Sequence, residues 1–382
     1  MDIRDMTPDD LDAVLDTRKR SFGPLPGDLA DAWRATARAT LEQGRFLGAF
    51  DGSRLAGAAR LPRFTQWWHG RPQPMAGVAG VVVNPEDRGR GVGRRLMRAV
   101  LARAAEMGDA VSALYPATTP IYRSLGWEHA GAKNNVTLSP EALRAIRLTE
   151  PVKLRRMGPD DAAEVIAIVG SVHAANRASG PICWDEASWR RFLDDEDDFL
   201  YLADDGYVTY SWDKGDISVD NLVAGSEATA RALWSLVGTS SSIATKVTAA
   251  VAPDDPVLWL LRERSKEEVE RTRWMFRVVD VADAIARRGF PPMISANAVV
   301  TVEDPERPSN TGTWRLEISG GSGTASAAEG EGPRLTVNGL SALYAGIPTS
   351  TLRLGGLLSG SAEFDEALDA AFAGTPYMLD YF

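Results

Sequence analysis

Residues 81–101, VVVNPEDRGRGVGRRLMRAVL, run from an apolar strand through a turn rich in Gly and Arg into the start of a helix. A turn that opens a helix leaves backbone N–H groups free at its N-terminus, where the helix dipole favours an anion. Glycine lets the backbone come close to a ligand, because no Cβ intervenes. Arg88, Arg90, Arg94, Arg95 and Arg98 crowd this segment in a chain whose formal net charge is −10. That local reversal of sign suits a polyphosphate such as a pyrophosphate.

Three nucleotide-binding patterns compete for the turn. A P-loop requires Gly-Lys-Ser/Thr after its glycines, and here Arg94-Arg95 follows Gly93. A dinucleotide fingerprint requires G-x-G-x-x-G soon after the first strand. Gly89, Gly91 and Gly93 lie far into the chain, and Asp109, at the distance of a ribose acid, precedes the next strand. The third pattern, R-x-x-G-x-G, is met in full by Arg88, Gly91 and Gly93. It resembles the acetyl-CoA loop of the GNAT acetyltransferases. A plain basic turn before a surface helix is the bland alternative.

A chain of 382 residues exceeds what one core usually fills, so two or three domains are expected. No apolar run reaches the length of a membrane span, and MDIRDMTPDD does not read as a signal peptide. A cytoplasmic protein with no membrane partner is expected. Cys183 is the only cysteine, and His69, His129 and His173 show no ligand spacing, so no metal is predicted. The acidic balance argues against nucleic acid.

A faint repeat organises the chain. IRDMTPDDLDAVL (3–15) aligns without gaps to LRRMGPDDAAEVI (154–166), with Arg, Met, Pro, Asp, Asp and Val at the same offsets. Each copy reads as a strand end and a helix start, with Pro8 or Pro159 at the first helical position. Thr7 is expected to cap the first helix, and Met6 and Leu11 to form a hydrophobic staple. Either duplication or convergence on a good helix start explains the match. Residues 231–251, where a duplicate would carry its loop, lack R-x-x-G-x-G. Near residue 280 a third unit begins: Asp280 caps a helix that Gly289 and Pro291-Pro292 end. AVVTVED (298–304) and TWRLEISG (313–320) alternate as strands, SGGSGTASAAEGEGP reads as a flexible hairpin or loop, and SAEFDEALDAAFAG as an amphipathic helix.

Together these features resemble the Eis (enhanced intracellular survival) family of acetyltransferases, over the whole chain in order. The likeness is strongest at 78–127 and rests mainly on placement between 165 and 275. It implies an α+β fold: tandem GNAT domains, each a mixed sheet with helices on both faces, plus a C-terminal sterol-carrier-like α/β domain. The expected boundaries are 1–147, 148–286 (without the cofactor loop) and 287–382. Acetyl-CoA is then the co-substrate. Val81, Val82 and Val83 offer backbone N–H groups to the thioester oxygen, and Arg88, Gly89, Arg90, Gly91, Val92, Gly93 and Arg94 hold the pyrophosphate. Ala117 and Thr118 align with further cofactor contacts.

ALYPATTPIYRSLGW (113–127) resembles the segment that presents a tyrosine to the thioester sulfur, by position Tyr122, with Tyr115 as rival. Family members end in an aromatic residue whose terminal carboxylate acts as general base, here Phe382. Where the family pattern has Glu before it, this chain has Tyr381, with Asp380 one residue earlier. A carboxylate is a weak base toward an ammonium unless burial raises it, and docking among aromatics is one way to do so. Asp28 and Trp33 are the expected substrate contacts. They suit the primary amine of a cationic small molecule, aminoglycoside- or polyamine-like. Protein lysine acetylation, or lipid or acyl-CoA binding without turnover, are the alternatives. The architecture also implies a homohexamer.

Overall fold

The computed structural model describes residues 1–195, 197–262 and 268–382, and within them every side chain but that of Asp28. The two copies of the repeat build one corner twice. Strand Asp2–Asp5 passes through the turn Pro8–Asp10 into helix Leu11–Phe22, and strand Arg155–Arg156 passes through Pro159–Asp161 into helix Ala162–Ala175. Asp10 accepts a hydrogen bond from the Thr7 N–H at 2.8 Å, as Asp161 does from Gly158 at 2.8 Å. Arg4 pairs with Asp10 at 2.9 Å and Arg155 with Asp161 at 2.8 Å. The recurring Arg and second Asp therefore carry one bonding pattern. Thr7 departs from expectation: its hydroxyl donates to Asp10 at 2.8 Å instead of accepting from the helix. Met6 and Leu11 do bury together.

Strands Asp2–Asp5, Phe46–Asp51, Arg54–Arg60 and Ala79–Val83 form a four-stranded antiparallel sheet in that order. Phe46, Phe50 and Ala58 pack under helices Leu11–Phe22 and Gly27–Glu42, while Leu47 and Ala59 face helix Val92–Glu106. Helices cover both faces, which is why FLGAF (46–50) is apolar and buried throughout.

A mixed eleven-stranded sheet runs through the rest of the first domain and all of the second. Strand Glu268–Val278 falls within the expected second-domain span, yet lies between Val111–Leu114 and Glu128–Leu138 of the first. Glu128–Leu138 in turn pairs with Val247–Val251 of the second. Two parallel strand pairs open into forks. Val78 donates to the Ala113 carbonyl at 2.9 Å, after which Ala79–Val83 and Val111–Leu114 belong to different sheets. Asp216–Ala224 and Val247–Val251 are paired only across Ile217–Val219.

Beyond residue 280 a five-stranded sheet has the order Ser322–Ala327, Gly312–Ser319, Ala296–Glu303, Arg334–Thr336, Leu358–Ser359. Asp280 caps helix Val281–Arg287, as its position implied, accepting from the Asp283 N–H at 2.9 Å. Strand Ser322–Ala327 lies within the segment read as a flexible hairpin or loop. Its side chains are small and it pairs on one side only, so it carries little alternation to read. Phe290, Tyr344 and Phe372 fill the space over the sheet and share one core with Trp68, Trp274 and Phe276. The α+β class is as expected.

Candidate active site

The first fork is held open by the loop that follows it. Asn84 bonds the Leu55 carbonyl at 2.8 Å, and the buried Asp87 takes Arg54 at 2.6 Å and Arg90 at 2.7 Å. Gly89 and Gly91 adopt φ of +76° and +77°, which L side chains rarely accept, and a Cβ on either would meet open space. Gly91 is the N-cap of helix Val92–Glu106, and no side chain caps that helix. Its N–H groups remain free for an anion. Strand Ala79–Val83 has a partner on one side only, so alternate N–H groups along it face the gap. These features fit a pyrophosphate at the loop and a thioester along Val81, Val82 and Val83.

The arginines divide by partner. Arg90 is bonded to Asp87, while Arg94 and Arg98 reach Glu306 of the C-terminal unit at 3.2 and 2.7 Å. Arg98 and then Arg94 hold the Glu306 carboxyl below its usual range. Arg88 touches only Ser21 Oγ, at 3.5 Å, and Arg95 has no hydrogen bond or ion pair among the described residues. Gly93 serves packing: a Cβ there would sit 3.1 Å from Ile121 and 3.7 Å from Val83. Val92 is buried, and Ala117 and Thr118 are exposed at the far side of the fork.

Thr118 opens the one-turn helix Thr119–Arg123, which carries Tyr122 into the first domain's core. The turn behind it is tight, with Gly126 at φ +95° and no room for a Cβ beside Arg277. Asn338 of the C-terminal unit grips the carbonyls of Arg123 and Trp127 at 3.0 and 3.1 Å. Burial pushes the Tyr122 phenol up to about 12, favouring the protonated state.

The chain end docks at the base of the same fork. The Phe382 ring lies 4.7 Å from Phe64 and 5.6 Å from Tyr115, centroid to centroid, and a Cβ on Gly77 would come within 2.9 Å of it. Tyr115 donates to the Asp380 carbonyl at 2.8 Å and stacks on Tyr381 at 4.3 Å. Tyr115 is therefore an anchor for the terminus, a role its position alone did not indicate. Asn221 of the second domain donates to Asp380 Oδ1 at 3.1 Å.

Beside Phe382 a cleft between the first and second domains has lobes of about 560 and 990 Å³ that share Gln43, Arg63, Phe64, Trp184 and Asp185. Helix Gly27–Glu42 contributes Ala32, Ala35 and Thr36 to the smaller lobe. Trp33 turns away to pack edge-on against Phe46, with Arg60 over its ring at 5.7 Å. The side chain of Asp28 lies outside the described ones. Arg60 and Trp184 were not legible as lining residues.

A forked strand pair with an uncapped helix N-terminus is the build of an acetyltransferase, and comparison with known proteins agrees. The acetyltransferase (GNAT) domain profile matches residues 2–130, a second GNAT profile matches 180–278, and a sterol carrier protein domain matches 281–379. The crystal structure of a GCN5-related N-acetyltransferase from Kribbella flavida is 46% identical, with a TM-score of 0.97, covering 100% of this chain and 98% of that one. An uncharacterized N-acetyltransferase of Streptomyces griseus is 28% identical over 84% of this chain and 88% of its own. N-acetyltransferase Eis of Mycobacterium tuberculosis is 27% identical over 78% of each chain. The chain belongs to the GCN5-related N-acetyltransferases and, within them, to the Eis type, in which two GNAT domains precede a sterol carrier protein domain. Among the described residues no helix is long and apolar enough to cross a membrane.

Proposed function

We propose that this enzyme transfers the acetyl group of acetyl-CoA to a primary amine of a small molecule by direct attack of the amine on the thioester. The observation that carries this reading is the meeting of two features at Gly77: the fork opens there, and the terminal residue Phe382 packs there. Acetyl-CoA supplies an acetyl group activated as a thioester. Backbone N–H groups of residues 81–83 stabilise negative charge on its oxygen, and the 88–94 loop with Arg88 and Arg95 fixes its position. The Phe382 carboxylate accepts the proton that the ammonium loses before the C–N bond forms. As the C–S bond breaks, Tyr122 gives its proton to the sulfur, the nitrogen releases its second proton to solvent to leave the neutral amide, and Tyr122 regains a proton from solvent.

Asp185 and Asp195 in the cleft support an acceptor bearing positive charge, as an aminoglycoside or polyamine does. A homohexamer remains part of the proposal, and a light-scattering mass tests it. The decisive experiment measures CoA release with a panel of amines, for the chain ending at Phe382 and for one extended by a single glycine. Loss of about 100-fold or more in kcat on extension supports the terminal base. Equal turnover of the two forms removes Phe382 from the proton transfer.

A further inference from the structure

Among the described residues the guanidiniums of Arg45, Arg277 and Arg288 are buried and have partners, whereas the half-buried Arg60 and Arg307 each have an Nε sealed without one, and of these two Arg60 lines the cleft. Arg45 meets Asp109 at 2.7 Å, Arg277 meets Asp304 at 2.8 Å, and Arg288 donates to the carbonyls of Tyr344, Gly289 and Phe372. Arg60 is different. It ends strand Arg54–Arg60 opposite Ala79, at the base of the first fork, and lines the smaller lobe together with Phe382. Its Nε is sealed from solvent without a hydrogen-bond partner, and the guanidinium makes no hydrogen bond or ion pair among the described residues. Only the Trp33 ring lies over it. Burial, and secondarily Arg18, lower its pKa to about 10, so the charge persists at neutral pH.

A half-buried charge with a sealed, unpaired N–H is costly, and an anion of the right shape removes that cost through charge-assisted, often bidentate bonds. Arg63 and Arg191 line the same lobe, as do Asp185 and Asp195. Asp185 is already engaged as a cap, accepting from the Ser188 N–H at 2.7 Å. The lobe thus offers both signs, and of its charged side chains Arg60 alone has neither a hydrogen bond nor an ion pair among the described residues. A polyamine could meet Asp185 and Asp195 but would leave Arg60 unpaired.

We propose that the natural acceptor is a primary amine that also carries a carboxylate, an amino acid or a close relative, with the carboxylate on Arg60 and the amine turned toward Phe382. This rests on the acetyl-transfer reading above. The test measures kcat/KM of the full-length enzyme with acetyl-CoA and matched pairs that differ by a carboxylate: lysine and cadaverine, phenylalanine and 2-phenylethylamine. The carboxylate-bearing member is expected to be favoured by about 10- to 100-fold. Arg60→Gln brings the ratio near one while KM for acetyl-CoA stays unchanged, and Arg60→Lys restores part of the preference. A thermal melt confirms that the variants fold, and the wild-type ratio stands on its own if they do not. Equal or better turnover of the amines without carboxylate overturns the proposal and leaves acetyl transfer intact. Equal losses on both members in Arg60→Gln, or a raised KM for acetyl-CoA, overturn it by assigning Arg60 to the terminal carboxylate or the cofactor. Silence toward every amine, aminoglycosides included, sinks the acetyl-transfer reading and this inference with it.

Discussion

The two GNAT domains contain the same fork and use it in opposite ways. In the first, residues 84–91 separate strand from helix, Gly91 leaves the helix N-terminus without a side-chain cap, and none of the described residues comes within 4 Å of where a Cβ on Gly89 or Gly91 would sit. In the second, only Gly225 and Ser226 separate strand Asp216–Ala224 from helix Glu227–Gly238, and Ser226 caps that helix by accepting from the Thr229 N–H at 3.3 Å. The counterpart turn thus lies ahead of residues 231–251. Its fork is occupied from within: Tyr377 and Leu379 pack with Val223 and Ala250, and Asn221 holds Asp380. A free helix N-terminus suits an anion; a capped one beside an apolar gap suits a peptide tail. The second domain is a socket for the chain's own end, and the first is the cleft that this end faces.

Emptying the socket is the strongest way to break this contrast. Leu379 is 5% exposed. Leu379→Ala should cost about 2–5 kcal/mol in a melt. In the mechanism proposed above it should also lower kcat about 100-fold, because Phe382 loses its register. A lower melting temperature with full turnover would show that the socket does not position the terminus.

The socket should also respond to pH. Burial raises Asp380 to about 6, while the Asn221 amide and Lys133 pull the other way and Asp220 adds to the rise. Tyr115, Cys183 and Tyr207 are the other titratable groups that feel it. The folded chain binds this proton more tightly than the unfolded chain, so the associated stability is full at acid pH and declines as pH rises from about 4 to about 6. The decline is on the order of 3 kcal/mol. Asp380→Asn should remove that part of the slope, read as the difference between variant and wild-type melts across the window. Parallel curves would rule it out.

What was legible beforehand was local. The Arg88-Gly91-Gly93 spacing, the Pro-Asp-Asp corners and the Asp280 cap each depend on residues a few positions apart, where backbone sterics leave few options. What was not legible depends on distant partners. Strand Glu268–Val278 is apolar only toward its end, and nothing local announces that it inserts between Val111–Leu114 and Glu128–Leu138. Arg94 read as a phosphate ligand because Glu306, 212 positions away, is invisible from the loop. Trp33 read as a pocket wall because its packing against Phe46 depends on the angle between helix and sheet. Arg60 stands out only once the partners of the buried arginines and the lining of the cleft are both known.

The open cleft can be closed as a counter-test. At Gly91, with φ +77°, Gly91→Val forces a β-branched side chain into the left-handed region, at a cost of about 1–2 kcal/mol, and places it over the free N–H groups. KM for acetyl-CoA should rise about 10-fold or more while the acceptor preference holds. An unchanged KM would move the pyrophosphate elsewhere.

The smallest effects separate the arginines that face a ligand from those that build the loop. Arg88 and Arg95 have the fewest partners, so Arg88→Ala and Arg95→Ala should each raise KM for acetyl-CoA by about 3- to 10-fold, with little change in melting temperature. Because these charges are exposed, the penalty should shrink as salt is added. Arg90→Ala removes one of two guanidiniums from the buried Asp87 carboxylate, so it should lower the melting temperature, and its KM change should be insensitive to salt. Identical salt profiles for Arg88→Ala and Arg90→Ala would mean that the loop acts as one diffuse positive patch. The division between phosphate-facing and loop-building arginines would then fall, even if the cleft itself remains the acetyl-CoA site.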